Sequence, residues 1–162
     1  MTTKKIDTFQ QQNFRLVFDR LPTMTFMCRE FVMPGIQGGN VIQATRFNPV
    51  PLPGDSVQYE YLTVNFNLDE DWSNYTEVQK WMNQINFPQS HQQYQELEQE
   101  ELPPMSDAEL LVMNNANLPT KRIGFKDCFP ISLSGFPLDS GAQGANPIPI
   151  TAVFAYSFFQ IS

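Results

Sequence analysis

Between residues 62 and 85 the apolar period of the chain switches from two to about 3.6, and that switch narrows the fold class more than any other feature. Leu62, Val64, Phe66 and Leu68 alternate with Thr63, Asn65 and Asn67, the pattern of a strand with one face in the core and the other wet. Beyond Asp69, Glu70 and Asp71, the side chains of Tyr75, Val78, Met82 and Ile85 fall on one helical stripe, with Trp81 at its edge. Ser73 is the expected N-cap, and the acidic triplet lies where negative charge meets the positive end of the helix dipole. Phe87-Pro88 ends the helix.

The remaining segments read as strands and punctuation. Phe14, Leu16 and Phe18 alternate with Arg15, Val17 and Asp19. Met24 to Met33 carries Met24, Phe26 and Cys28 on one face and Met27 and Phe31 on the other, which predicts a strand covered on both sides. Pro34-Gly35 breaks it, Ile36 to Asn40 prolongs the break, and Val41 to Phe47 is extended again. Pro49, Pro51 and Pro53 exclude helix and interior strand, so residues 34–55 form a long projecting loop or hairpin. A rigid excursion of that length is functional. Glu109–Met113 and Lys121–Asp127 make a hairpin, Phe129–Ser134 is a separate short strand, and Ile150 to Phe159 is the last strand. On that strand Ala152, Phe154, Tyr156 and Phe158 face the core, opposite Thr151, Val153, Ala155 and Ser157. Residues 1–12 are a polar, flexible arm, and 89–107 are a mobile insertion rich in Gln and Glu. Residues 13–162 are therefore one domain of roughly seven strands and one helix, a mainly β α+β fold built as a sandwich or curved sheet.

Composition restricts the partners. The 10 Lys+Arg and 17 Asp+Glu give a charge of −7, which argues against affinity for duplex DNA but not against a wall beside DNA. The 15 Gln and 12 Asn equal the charged residues in number, so much of the polar surface is neutral amide. No apolar run approaches the roughly 20 residues of a membrane helix, and Lys4-Lys5 lead into polar residues rather than an export signal.

The chemistry a catalyst needs is missing from the sequence. His91, the one histidine, lies in the Gln-rich insertion, where no base is held in place. Cys28 and Cys128 lack the spacing of a zinc site or a disulfide framework. Gly35-Ile-Gln-Gly-Gly39 lacks the Lys-Ser/Thr of a phosphate loop and reads as a hairpin turn. Asp69 and Asp71 are too close in sequence to flank a substrate, and Lys121, Arg122 and Lys126 are too few for a nucleic-acid footprint. No enzyme activity, cofactor or metal is expected. The rigid excursion, the strands with two faces to cover and the amide-rich surface point instead to assembly.

Three segments in a fixed order carry a resemblance. LTVNFNLDEDWSNYTEVQKWM (62–82), FKDCFPISLSG (125–135) with ITAVFAYSFFQI (150–161), and NFRLVFDRLPTMTFMCREFVMPG (13–35) resemble the tail tube proteins of contractile-tailed phages, closest to the baseplate tail-tube junction, or tube initiator, proteins. The resemblance implies two packed sheets with a flanking helix and six copies joined edge to edge into a ring whose inner sheets form a barrel around a DNA channel. It implies that the 34–55 excursion, with Pro34, Gly35, Ile36, Phe47, Pro49, Pro51 and Pro53, contacts an adjacent ring, and that Thr63, Asn65, Asn67, Thr151 and Ser157 face the lumen. Tyr75, Val78, Trp81, Met82 and Ile85 are then the helix's packing residues. Sheath and tape measure proteins are further implied partners, DNA passes without specific binding, no membrane is involved, and the location is the virion tail or baseplate, assembled in the host cytoplasm. The insertion at 89–107 has no counterpart in the family pattern. A reading of another class is a monomeric β-sandwich module binding cell-surface glycan or peptide through Trp72, Trp81 and Tyr94.

Overall fold

A computed structural model of the chain describes residues 14–22, 28–86, 104–114, 117–141 and 146–162. The N-terminal arm, Met24 to Met27, Phe87-Pro88, His91, Tyr94 and the insertion as far as residue 103 lie outside the described residues.

One strand organises the fold. It runs from Pro119 to Leu133, β7 in chain order, and replaces the two strands expected on either side of Cys128. Asp127 adopts a left-handed conformation, φ 56°, which bends the strand without ending it. Before the bend β7 pairs antiparallel with β6 (Ser106–Met113) and β9 (Phe158–Ile161), and β6 pairs in turn with β1 (Phe14–Phe18). After the bend it pairs with β8 (Pro149–Ala155), which pairs with β5 (Leu62–Asn67), which pairs with β2 (Cys28–Val32). Two layers result, β1-β6-β7-β9 and β7-β8-β5-β2, joined through β7.

The layers close on an aromatic core. Phe18 of β1 meets Phe154 of β8 with ring centroids 4.8 Å apart, and Phe31 of β2 meets Phe125 of β7 at 6.0 Å. Leu62, Val64 and Phe66 are buried and Thr63, Asn65 and Asn67 half-buried, as the alternation predicts. Full burial of each large apolar side chain contributes about 1.5–3 kcal/mol relative to exposure.

The helix, Ser73–Ile85, lies on this core. Val78 and Trp81 are buried, and Tyr75, Met82 and Ile85 are half-buried against the core cluster. Trp81 stands at the centre of the contact rather than at its edge, 6.0 Å from Phe154, with Nε1–H donating to the Pro104 carbonyl at 2.8 Å. Ser73 is the first helical residue and not the N-cap; Trp72, in a left-handed conformation with φ 56°, takes that position without a side-chain cap. The polar closure comes from Asn74, which is fully buried. Its Oδ1 accepts the N–H groups of Asp69 (3.3 Å) and Tyr75 (2.8 Å), and its Nδ2 donates to the Asn67 carbonyl (2.7 Å). Asp69 shapes the turn by accepting the Ser73 hydroxyl and the Glu70 N–H, both at 2.9 Å.

Other expectations need correction. β2 is an edge strand: Arg29, Glu30 and Val32 are exposed, and a bulge between Cys28 and Glu30 leaves Phe31 to face the core. The last strand is two strands, broken at Tyr156-Ser157. The break shifts parity, so Phe158 is exposed and Phe159 turns inward against Phe125 (5.6 Å). β6 begins at Ser106, inside the stretch expected to be insertion.

Candidate assembly interface

The excursion after β2 is a two-stranded sheet of its own. Strand β3 (Ile36–Gln43) pairs antiparallel with β4 (Val50–Tyr59), from Ile36 opposite Tyr59 to Gln43 opposite Val50. The 36–40 segment is thus strand, not a continued break or a turn, and the hairpin reaches past residue 55 to Tyr59. Pro51 and Pro53 lie within β4, which is possible because a two-stranded sheet has no interior strand. At the bulge between Gly38 and Asn40 the backbones are close, and a Cβ on Gly54 would come within 2.9 Å of the Gly39 carbonyl group.

The hairpin is anchored at its base and bare along its length. The Gly35 N–H donates to Glu60 Oε2 (3.2 Å), the Glu60 N–H to the Gly35 carbonyl (3.0 Å), and Gln37 Nε2 to Glu60 Oε1 (3.3 Å). The Tyr59 ring packs against Tyr156 (5.9 Å) and Phe159 (5.5 Å). Above this base Val41, Ile42, Val50 and Leu52 are exposed, and at the tip Phe47 is 89% exposed. Ile36, Pro49, Pro51 and Pro53 are exposed as well. Pro34 is buried and Gly35 half-buried at the base, so Pro34 is not available for contact with a neighbour.

The second surface is the outer face of the layer β7-β8-β5-β2. Asn65 stands opposite Thr151, Thr63 opposite Val153, and Asn67 opposite Pro149. Thr151 Oγ1 donates to Asn65 Oδ1 (2.7 Å), Asn65 Nδ2 donates to Glu30 Oε2 (3.0 Å), and the Thr151 N–H donates to Ser134 Oγ (2.9 Å). Thr63, Asn65, Asn67 and Thr151 therefore share one neutral face, tied by hydrogen bonds at Asn65 and Thr151, to which Glu30 adds a carboxylate. Ser157 does not belong to it. It lies exposed in the break after β8, its N–H on the Lys126 carbonyl at 2.9 Å.

Both ends of this layer are open. β2 pairs only with β5, and the 129–133 part of β7 only with β8, among the described residues. Val32 (50% exposed) and Ile131 (38%) mark these edges. Such edges are a template for pairing with another chain.

Burial pushes the Cys28 thiol up to about 11 and the Cys128 thiol up to about 12, which keeps both protonated at neutral pH. No group of three or more His, Cys, Asp or Glu side chains is arranged to hold a metal ion among the described residues, and none of their helices is long and apolar enough to cross a membrane. Trp81, buried at 1% exposure, cannot serve as a glycan platform. Sequence reasoning missed Glu30, whose place on the outer face depends on the bulge after Cys28, and Asn74, which reads as an ordinary polar helix residue.

No protein-family model and no curated protein sequence matches the chain. Solved structures do. A chain of the sheath/tube terminator of an extracellular contractile injection system (PVC) superposes with a TM-score of 0.68 at 12% identity, over 98% of this chain and 99% of that one. This protein has the tail-tube fold. A chain of the six-fold-symmetrised baseplate of the anti-feeding prophage gives 0.62 at 11% identity over 97% of both chains, and one of the tube-terminating cap of the same particle 0.61 at 15% over 100% and 99%. These likenesses extend over 97% to 100% of this chain.

Proposed function

We propose that the chain is a structural subunit of a contractile tail or injection machine, forming a hexameric ring of the inner tube or of the junction where the tube meets its baseplate. The observation that carries this reading is the end-to-end likeness of fold, 98% and 99% of the two chains at a TM-score of 0.68, to a component of a sheath/tube terminator. The two open edges of the layer β7-β8-β5-β2 support it, because β2 of one copy can pair with residues 129–133 of the next. Four strands from each of six copies make a wall of about 24 strands, far beyond the roughly eight at which side chains fill a barrel, so the ring encloses a channel. Thr63, Asn65, Asn67 and Thr151 then line it, and Val32 and Ile131 lie at the seams.

A lining of amides and hydroxyls suits passage without capture. Affinity for a polyanion requires cations that displace its counterions, and the face offers Glu30 instead, on a chain of charge −7. DNA is the cargo this reading assigns; sheath lies outside, and a tape measure protein occupies the lumen before ejection. The hairpin β3–β4, exposed on both faces, contacts the adjoining ring. The location is the tail or baseplate of the particle, assembled in the host cytoplasm. Native mass spectrometry and cryo-electron microscopy of the purified full chain are expected to give six-copy rings with an open channel. A strictly monomeric protein at high concentration, both alone and beside its baseplate partners, would overturn the assignment.

A further inference from the structure

The hairpin β3–β4 joins the body through a narrow base, and among the described residues no strand of the two layers pairs with it. Its two crossings, at Gly35 and Glu60, are bound to each other. The Glu60 N–H donates to the Gly35 carbonyl at 3.0 Å, while the Glu60 carboxylate accepts the Gly35 N–H at 3.2 Å through Oε2 and the Gln37 amide at 3.3 Å through Oε1. The glycine is what admits the carboxylate: a Cβ on Gly35 would stand 2.8 Å from Glu60 Oε2 and 3.0 Å from its Cδ. Glu60 is thus the catch that fixes the direction in which the hairpin leaves the body.

A second catch lies beneath the base. Tyr156, in the break between β8 and β9, packs its ring against Phe125 (5.2 Å) and against Tyr59 (5.9 Å) of the hairpin. Its hydroxyl is buried and has no hydrogen-bond partner among the described residues. Burial pushes this phenol up to about 12, and Tyr59, Cys128 and the Glu60 carboxylate add to the rise, so Glu60 is close enough to act on it. An unmet buried donor is a cost that a small rearrangement removes. Against it stand the two bonds from Gly35 and Gln37 to Glu60, both exposed, which water replaces with little loss.

We propose that the hairpin has two rest positions on a hinge at Gly35 and Glu60: the one in which Glu60 holds Gly35 and Gln37, and a second in which Glu60 swings to accept the Tyr156 hydroxyl and the hairpin takes a new direction. The exchange trades two exposed hydrogen bonds for one buried one, so the positions lie close in free energy and both are populated. Glu60 and Tyr156 are positioning residues, and neither has to touch a partner. The hinge belongs to the single subunit and does not depend on the ring reading. A hairpin with two directions fits neighbours of two shapes, where a fixed one fits only one.

The test is pulsed electron spin resonance on the full chain, spin-labelled at Phe47→Cys on the hairpin tip and Lys80→Cys on the helix and diluted with unlabelled protein, with thermal unfolding as the control for folding. The native thiols stay protonated at neutral pH, so the unsubstituted chain should take no label. Two tip-to-helix distances are expected. Tyr156→Phe removes the second catch and should shrink the second population at least about tenfold without lowering Tm, because the donor it deletes is unmet. Gly35→Ala evicts Glu60 from the first catch and should enlarge the second population by a similar factor; Gln37→Ala, which removes one partner and leaves the backbone alone, should shift the ratio the same way. A single distance in the labelled chain that neither Gly35→Ala nor Gln37→Ala splits overturns the hinge, and so does a ratio that Tyr156→Phe leaves unchanged. Ring formation, read from the same samples by electron microscopy, bears on the ring reading alone.

Discussion

Asn74 shows how much of the domain depends on one polar residue. It links the end of β5, the acidic turn and the first turn of the helix, and it is wholly removed from water. Asn74→Ala strands two N–H groups and a carbonyl, and should cost about 3 kcal/mol. In a chain of this size that lowers Tm by roughly 6–12 °C, measurable by calorimetry. The Lys126–Asp107 pair is an exposed counterpart with a defined pH window. The Lys126 ammonium holds the Asp107 carboxyl below its ordinary 3.8, and Asp107 in turn raises Lys126 above its ordinary 10.5. A lowered carboxylate stabilises above its unfolded value and loses that effect as pH falls through the folded one, while a raised ammonium stabilises below its unfolded value and loses the effect as pH rises. Asp107→Asn should therefore lower the urea midpoint slightly on the plateau between about 3.8 and 10.5, with the difference from wild type closing beyond either end. Neither residue is legible in the sequence as important. Asn in a first helical turn and a Lys–Asp pair 19 residues apart look like ordinary surface until the turn and the β6–β7 pairing bring their partners close.

At the scale of elements, the alternation at 62–68 and the stripe from Tyr75 to Ile85 were legible because a single buried face imposes its period on the chain. Where the backbone departs from regular pleating, the pattern misled. The bulge after Cys28, the bend at Asp127 and the break at Tyr156-Ser157 each shift parity or continuity by one residue, so Phe158 reads as core while Phe159 occupies it. The two-stranded hairpin is half legible: its prolines exclude an interior strand, yet its lack of any further sheet neighbour, which admits them as strand residues, is a tertiary fact. Asp127 is the element most open to test. A β-branched residue at φ 56° carries a steric penalty of about 1–2 kcal/mol, so Asp127→Val should destabilise by that amount or more. Asp127→Gly, relieved of the penalty but without the acid's local contacts, should stay within about 1 kcal/mol of wild type in chemical denaturation. Similar losses for both would mean that the bend rests on the side chain and not on the backbone.

For the whole molecule, the proposed ring closure and folding would make separate demands on the same strands. Ile131, 38% exposed on the free edge of β7, is outside the buried core. Ile131→Lys should leave Tm nearly unchanged and convert rings to monomers in native mass spectrometry; rings that persist would move the seam elsewhere. Which side chains share the outer face was partly legible, since Thr63, Asn65, Asn67 and Thr151 follow from alternation, whereas Ser157 was misplaced by the unseen break. The hairpin poses a hazard of its own, because it leaves Val41, Ile42, Val50 and Leu52 exposed. Residues two apart in a strand direct their backbone to the same side. Pro51 and Pro53 therefore strip donors from one side of β4, and since the pairing with β3 survives, that side is the outward one. A stray strand finds acceptors but two fewer donors there, which weakens a ladder along that edge. The prolines act as a shelf-life device, keeping unassembled copies from seeding fibrils, and Pro51→Thr with Pro53→Thr should leave the subunit folded but make its solutions turn thioflavin-positive on standing.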